Sequence, residues 1–398
     1  MSLAEALRKS DKKGLFKSTD TFASYSTGYL PLDFANGFVY RKIDSDGKET
    51  ALPILGIIGG TFTTFIGYSG SGKTTLADQI GWNIVKPFEN GLLIHVDIEK
   101  TALKERMLQV TGASPNDDRI ILQKEATSIE DVLDMIDDIC EAKEKLGEDA
   151  KYILPEYMWR NGKKETFYQP TVIILDSLAV FNSRERKEDT LEGQMSSGRE
   201  ASQIAQFYSK CLNKMTKYNI LIFSINHIKA KVDANPYQAA PLQVMMLRQG
   251  ESMPRGYAPI YLAQNIFRCT ATKGNIYTMD DDGFTGFMCN VQVVKSKTSF
   301  IGSTINLCFN SAIGFDPIYT MYEYAVQLGL IEGRNPNLYL KGLDAFKFNR
   351  KDFRKKFIEE KEFRDGFMNI LEPFMKSMVS AQQIDDVPHY ISLDDLKA

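Results

Sequence analysis

Gly67-Tyr-Ser-Gly-Ser-Gly-Lys73-Thr74-Thr75 is the stretch around which the rest of this chain can be interpreted. It matches the pattern Gly-x-x-x-x-Gly-Lys-[Ser/Thr], and it lies between a short apolar run at 61–66 and a helix-compatible run at 76–85. In a strand–loop–helix unit of this kind, backbone N–H groups converge on phosphate oxygens and the helix directs its partly positive end at the same anion. The pattern predicts a loop that binds a nucleoside triphosphate; the alternative is a flexible glycine–serine turn.

Two side chains of this loop have separate predicted roles. The Lys73 ammonium would reach the β- and γ-phosphates, and the Thr74 hydroxyl would bind Mg²⁺. The residues predicted to contact the nucleotide are Gly67, Tyr68, Ser69, Gly70, Ser71, Gly72, Lys73, Thr74 and Thr75. The expected cofactors are therefore ATP and Mg²⁺.

Length and composition limit the class of protein. With 398 residues, of which 43% are hydrophobic, the chain can form one large α/β core and one or two appendages. A formal net charge of -3 argues against a generally basic nucleic-acid coat, so any DNA contact must come from a local patch. Five cysteines far apart in sequence indicate reduced core thiols, and no apolar run reaches about 18 residues. We therefore expect a soluble, cytoplasmic protein without a membrane partner.

Polar side chains follow three apolar runs that have the character of buried parallel strands. The run beginning at Leu92 ends in Asp97 and Glu99, the run beginning at Thr171 ends in Asp176, and the run beginning at Asn219 ends in His227. Active groups in open α/β sheets gather at the carboxyl ends of strands. Asp176 is expected to support Mg²⁺ together with Thr74. Ordinary structural roles remain the alternatives for Glu99 and His227, and such a role is favoured for Asp97 and for the mid-strand His95.

Periodicity and turn residues predict the remaining elements. Two β-hairpins are expected, at 38–58 and at 157–168, the second turning on Asn161-Gly162. Helices are expected at 101–111, 128–145, 200–218 and 319–328. A long irregular segment at 228–259 is of a kind that is normally functional or disordered.

The chain divides into three predicted parts. Residues 1–25 would form an N-terminal oligomerisation arm, 26–330 the core, and 331–398 a C-terminal helical region with an acidic tail. The arm is either disordered or docked on a neighbouring subunit. The basic run at 347–357 is either a solvated helix face, with its phenylalanines packed inward, or a nucleic-acid site.

Several of these landmarks occur together in one family, and over residues 26–330 the chain resembles the RecA-type recombinases, most closely their phage UvsX-type branch. The motifs that carry the resemblance are Ser26-Thr-Gly-Tyr-Leu-Pro-Leu-Asp33, the 67–75 loop, Asp97-Ile-Glu99, Leu175-Asp176-Ser177-Leu178, Ile225-Asn226-His227 and Val293-Val294-Lys295-Ser296-Lys297. The resemblance implies an α/β fold, namely a RecA-like P-loop ATPase core with a twisted, mostly parallel sheet.

The resemblance also implies roles for side chains around the nucleotide. Glu99 falls where the family's catalytic glutamate activates water, and Asp176 where its Walker B acid supports Mg²⁺. His227 falls where a side chain senses the γ-phosphate. Lys295 and Lys297 match a lysine pair that reaches the γ-phosphate of a neighbouring subunit; on spacing alone, a solvated edge is the alternative. With Lys73, these five residues form the expected catalytic set.

DNA contacts follow from the same resemblance, which places DNA-facing loops at about 182–198 and 228–259. The residues expected to contact DNA are Arg199, Lys229, Lys231, Val232, Arg248 and Arg255. Arg106 occupies the position where the family often has a tyrosine that stacks on adenine, so nucleotide preference is open. Both hairpins are additions to the family pattern, and the C-terminal region matches it only loosely.

These expectations combine into a functional hypothesis. The chain would be a DNA-dependent ATPase that forms helical filaments on single-stranded DNA, pairs it with homologous double-stranded DNA and exchanges strands. Its other partners would be a single-strand-binding protein and a loading mediator, and its location the cytoplasm, that of the infected bacterium if a phage encodes it. The alternatives are a ring-forming RecA-fold helicase and a non-enzymatic, nucleotide-gated DNA-binding assembly protein.

Overall fold

The structure is a computed structural model of the chain. It describes residues 22–43, 49–126, 128–156, 164–178, 197–230, 247–248, 251–253, 258–299 and 301–380.

The described residues form strands and helices that alternate through the first half of the core. The strands are β1 (Ser24–Tyr25), β2 (Phe38–Ile43), β3 (Glu49–Ile54), β4 (Ile57–Ile58), β5 (Phe62–Gly67), β6 (Leu92–Asp97), β7 (Ile120–Gln123), β8 (Lys151–Ile153), β9 (Thr166–Tyr168), β10 (Thr171–Asp176), β11 (Ile220–His227), β12 (Lys229–Ala230), β13 (Glu251–Ser252), β14 (Asn265–Tyr277), β15 (Gly286–Ser296), β16 (Thr304–Asn310), β17 (Gly314–Phe315), β18 (Ile331–Arg334) and β19 (Asn337–Leu340). The helices are α1 (Leu30–Ala35), α2 (Lys73–Val85), α3 (Lys104–Thr111), α4 (Ile129–Leu146), α5 (Ser197–Tyr218), α6 (Ala258–Leu262), α7 (Met279–Asp282), α8 (Pro317–Gln327), α9 (Phe353–Glu359) and α10 (Lys361–Ser380).

One large mixed sheet organises the molecule. Within the described ranges it has nine strands in the order β17-β16-β15-β14-β5-β11-β10-β6-β7. The pairs from β14 to β7 are parallel, whereas β15, β16 and β17 add to one side in antiparallel fashion. The expected α/β class with a mostly parallel sheet is therefore confirmed, and the antiparallel strands make the sheet mixed.

The parallel strands are mainly apolar because helices cover both faces of the sheet. Successive side chains of a strand point to opposite faces. On β10, Val172 and Ile174 accordingly pack with the cluster that contains α2, while Ile173 and Leu175 pack with α4 and α5 on the other face. The sheet is thus buried on both sides, and its polar groups are confined to the strand ends and a few interior positions.

Helix α3 begins three residues later than the sequence pattern indicates. The Asp97 carboxylate accepts hydrogen bonds from the backbone N–H groups of Thr101, at 3.2 Å, and Ala102, at 2.7 Å. These bonds hold Thr101 and Ala102 outside the helix, and α3 starts only at Lys104. The structural role favoured for Asp97 agrees with this geometry.

The two predicted hairpins differ in outcome. Strands β2 and β3 pair antiparallel as expected, but β3 ends at Ile54, and β4 pairs instead with β1. In the second hairpin, β8 at 151–153 pairs antiparallel with β9 at 166–168, so pairing begins before the predicted range. The predicted first strand, which starts at 157, lies outside the described residues. The predicted turn at Asn161-Gly162 lies outside the described residues.

The described part of the C-terminal region packs on the core through aromatic side chains. Phe348, Phe353 and Phe357 are all buried, as expected for a helix that turns its phenylalanines inward. In the basic run, Arg354 pairs with the buried Asp316 at 2.9 Å. Part of this basic run therefore neutralises buried acids of the core. All five cysteines are free and buried, which agrees with core thiols.

Arg350 joins this region to a buried acidic cluster. Its Nε lies 2.7 Å from Asp282 Oδ1 and donates to the Tyr319 hydroxyl at 3.0 Å, and its Nη2 lies 3.9 Å from Glu323 Oε1. Both carboxylates are less than a tenth exposed. Removing one partner of a buried ion pair leaves an uncompensated charge, which is strongly destabilising.

Arg350→Met is therefore expected to lower the free energy of unfolding by about 3 kcal/mol. The matched control is Lys355→Met in the same basic run, because Lys355 is exposed; its effect should stay within about 0.5 kcal/mol. Urea denaturation of the two variants measures the difference. Equal stabilities would show that Arg350 does not link the C-terminal region to the core.

Candidate active site

The Gly67–Thr75 loop connects β5, in the middle of the sheet, to α2. Gly70 and Gly72 have φ values of 75° and 83°, which a side chain rarely adopts. A Cβ atom at Gly72 would also lie 2.8 Å from the Phe315 ring. The glycines of the motif are thus needed for the loop conformation itself, and α2 begins directly after them at Lys73.

The Lys73 side chain is 4% exposed and folds back over the loop. Its ammonium donates to the Tyr68 carbonyl at 2.7 Å and to Ser71 Oγ at 3.4 Å. Burial lowers its pKa. Among the described residues no carboxylate forms an ion pair with it, so the loop holds a buried cation for which an anion such as phosphate is a fitting partner.

Thr74 and Asp176 meet where α2 begins and β10 ends. The Thr74 hydroxyl donates to Asp176 Oδ2 at 2.7 Å. Burial raises the pKa of the Asp176 carboxyl, although the bond from Thr74 opposes this effect. The described chain has no group of three or more His, Cys, Asp and Glu side chains able to hold a metal ion. A hydroxyl and one carboxylate nevertheless fit Mg²⁺, which commonly takes its other ligands from phosphate and water.

Glu99 lies beside this pair on the same edge of the sheet. Ser177 Oγ donates to Glu99 Oε1 at 2.6 Å, and His227 Nε2 lies 3.8 Å from the same oxygen. The Glu99 side chain is 35% exposed, so a water molecule can reach it. Ser177 was missed as a candidate site residue, although its position directly after Asp176 was a signal that could have identified it.

His227 lies next to the loop because β11 and β5 are paired in register, with His227 opposite Gly67. Burial lowers the pKa of its imidazole, and the charge of Lys73 lowers it further. Both effects favour the neutral form of the ring, whose Nε2 lies 3.8 Å from Glu99 Oε1. A neutral imidazole here can donate or accept a hydrogen bond without adding charge.

His95 is buried in β6, as expected, but its surroundings are polar. Its Nδ1 lies 2.7 Å from Asp78 Oδ1 on α2, and its Nε2 lies 3.8 Å from Asp176 Oδ2. Burial alone would lower the pKa of this histidine, but the Asp78 carboxylate reverses the effect and raises it. Nothing in the local sequence around Asp78 indicates its contact with His95.

Arg106 lies on α3 and reaches the turn before β17. Its guanidinium donates to Gln109 Oε1 at 2.9 Å and to the Ala312 carbonyl at 3.3 Å. The same turn contacts α2, because the Phe315 N–H donates to Gln79 Oε1 at 2.7 Å. Arg106 is therefore held beside the turn that packs on α2. Its contact with a nucleotide base stays a prediction.

Lys295 and Lys297 both reach the end of α6. Lys295 Nζ donates to the carbonyls of Ile260 and, at 2.8 Å, Tyr261, and Lys297 Nζ donates to the Leu262 carbonyl at 3.4 Å. Burial and the charge of Lys297 lower the pKa of Lys295 to about 8. The two ammonium groups share one side, as their spacing predicts. Their contact with a neighbouring subunit stays a prediction.

The predicted DNA-binding residues are only partly described. Lys229 is exposed in β12, two residues after His227, and Arg248 is exposed at the start of the turn into β13. The side chain of Arg199 lies outside the described residues, as do Lys231, Val232 and Arg255. The sheet thus brings Lys229 close to the candidate active site, and the other DNA contacts remain predictions.

A buried ion pair links the Gly67–Thr75 loop to β13, which lies within the predicted DNA-facing segment at 228–259. Glu251 in β13 accepts two hydrogen bonds from Arg268 in β14, at 2.6 and 2.8 Å, and one from the Tyr68 hydroxyl at 3.2 Å. The bonds from Arg268 lower the pKa of Glu251 to about 2. This network was also missed, although an arginine within an apolar strand was a usable signal.

Comparisons with known proteins assign no family to this arrangement. No family model matches the chain, and no curated protein matches it. Across the ranges that the structure describes, no helix is long and apolar enough to span a membrane.

Proposed function

We propose that this protein is an ATP-dependent DNA recombinase that polymerises on single-stranded DNA, pairs it with a homologous duplex and exchanges strands. The observation that carries the proposal is the meeting of an ammonium, a hydroxyl, two carboxylates and an imidazole around one glycine-rich loop. These groups belong to Lys73, Thr74, Asp176, Glu99 and His227.

The chemistry that this set supports is phosphoryl transfer to water, in which charges must be held in place. Lys73 would neutralise the transferred phosphoryl group, and Glu99 would orient the attacking water. Ser177 holds one oxygen of Glu99, which leaves the other available to the water. A bound Mg²⁺ would neutralise phosphate charge, with Thr74 and Asp176 holding it.

The DNA-binding part of the proposal depends on the resemblance and on position. Lys229 is exposed at the start of the segment that leaves β11 directly after His227. A filament repeats a few such cations along its inner surface, so a chain with a net charge of -3 can still bind DNA. Phosphate contacts carry no base information, so sequence preference should be small.

Electron microscopy of the protein with single-stranded DNA and a non-hydrolysable ATP analogue tests this proposal. We expect helical filaments, together with D-loop formation in the presence of ATP and no unwinding of a forked duplex. Closed rings that unwind the fork would support a helicase instead. Filaments that never yield joint molecules would support a non-enzymatic assembly protein.

A further inference from the structure

A buried series of polar side chains leads from α2 to the carboxylate proposed to hold the metal. Asp78 and His95 are 5% and 1% exposed, and they contact each other through His95 Nδ1. On its other side, His95 Nε2 lies 3.8 Å from Asp176 Oδ2. Asp176 Oδ2 in turn accepts the Thr74 hydroxyl at 2.7 Å.

Three adjacent elements place these groups together. Thr74 and Asp78 are four residues apart on α2 and therefore lie on the same face of the helix. Strands β6 and β10 pair in register with His95 opposite Ile174, two residues before the end of the strand at Asp176. The contact is thus a product of the sheet register and the helix period, not of a mobile loop.

The two ring nitrogens of His95 differ in their hydrogen bonding. Nδ1 faces the Asp78 carboxylate at hydrogen-bond distance, whereas Nε2 has no hydrogen-bond partner among the described residues. A buried polar atom without a partner is costly. Its nearest charged neighbour is Asp176, and an approach of about 1 Å would convert the 3.8 Å separation into a hydrogen bond.

We infer that His95, oriented by Asp78, is a positioning residue that holds the Asp176 carboxylate in place for a divalent cation. This inference extends the proposed function and depends on it. Side chains that orient a metal ligand, without touching the metal, commonly change metal affinity by about 10–100-fold when they are replaced. In the described part of the chain, no hydrogen bond or ion pair joins His95 to the Gly67–Thr75 loop, so its replacement should leave the binding of metal-free nucleotide unaffected.

Three variants test the inference. His95→Phe removes both ring nitrogens, His95→Gln keeps a polar side chain, and Asp78→Asn removes the charge that orients the ring while it conserves volume. The control is Thr63→Val, which removes a buried hydroxyl from β5, a strand that β11 separates from β10. Thermal unfolding identifies any variant that does not fold.

The affinity of each variant for Mn²⁺ is measured by electron paramagnetic resonance in the presence of a saturating ATP analogue. We expect a 10–100-fold weaker affinity in His95→Phe, a smaller loss in His95→Gln and Asp78→Asn, and no change in Thr63→Val. In the presence of EDTA, the nucleotide affinity of each variant should stay within about twofold of that of the unaltered protein, since metal-free binding does not involve the metal ligand.

Two outcomes contradict different claims. Wild-type Mn²⁺ affinity in folded His95→Gln and Asp78→Asn would overturn the positioning role and leave the proposed function intact. Failure of the unaltered protein to bind Mn²⁺ with nucleotide would overturn the proposed function itself. If His95→Phe does not fold, the Mn²⁺ affinity of Asp78→Asn decides the question. A weaker affinity supports the positioning role, and an unchanged affinity overturns it.

Discussion

Lys73→Ala is expected to lower DNA-stimulated ATP hydrolysis by about 10²–10³-fold and to remove strand exchange. The reason is the position of the ammonium, which is buried inside the loop and, in the described part of the chain, is paired with no carboxylate. Alanine would leave the phosphate charge without its closest cation. Release of inorganic phosphate and the yield of joint molecules measure the two effects.

Lys86→Ala is the matched control for this variant. Lys86 follows the other end of the same helix and is exposed, so its loss should change neither activity. Strand exchange that persists in Lys73→Ala, with hydrolysis gone and no nucleotide bound, would contradict the mechanism proposed here.

Glu99→Gln is expected to lower the turnover number by about 10²–10⁴-fold while nucleotide binding and filament formation persist. The amide keeps the size of the side chain and can still contact Ser177, but it cannot accept a proton from water. Its effect should therefore fall on hydrolysis and not on assembly. Single-turnover hydrolysis, nucleotide titration and filament images separate these steps.

Glu105→Gln provides the comparison, since Glu105 is an exposed acid in the first turn of α3. Its turnover number should equal that of the unaltered protein. A Glu99→Gln variant that hydrolyses ATP at the normal rate would show that another group activates the water.

The central sheet could be predicted because its strands carry strong local signals. The runs at 92–97, 171–176 and 220–227 are mainly apolar, and the helices between them follow a regular period. Element boundaries were less accurate where a side chain competes with the regular pattern. Asp97 delays α3 by binding backbone amides, and no local signal indicated that bond.

The candidate site was predictable to the extent that its residues follow strands. Lys73, Thr74, Asp176, Glu99 and His227 all stand at the ends of strands or the start of α2, and the structure brings them to one edge. Parallel strands end at the same side of a sheet, so residues that follow such strands can be expected at one edge from the sequence.

The residues that were missed depend on contacts between distant parts of the chain. Ser177 donates to Glu99, which lies 78 positions earlier in the chain. Arg268 in β14 donates to Glu251 in β13. Asp78 lies on a helix and His95 within a strand, and neither local pattern indicates that the two side chains meet. Tertiary packing selects these pairs, and periodicity carries no information about it.

The two lysines at the end of β15 determine how subunits would cooperate in the proposed filament. In the described part of the single chain, Lys295 and Lys297 bind the carbonyls at the end of α6, and neither forms a hydrogen bond with the Lys73 loop. If they complete the nucleotide site of a neighbour, the contact is head-to-tail, and the two partners supply different groups to it. One subunit would supply Glu99, and the next would supply the lysine pair.

Mixing two inactive variants tests this arrangement most directly. The double variant Lys295→Ala/Lys297→Ala keeps Glu99, and Glu99→Gln keeps both lysines. In an equal mixture on single-stranded DNA, about a quarter of the contacts would join an intact Glu99 to an intact lysine pair. The account predicts that ATP hydrolysis returns to about a quarter of the normal rate in the mixture. Hydrolysis no greater than the sum of the two separate variants would contradict it.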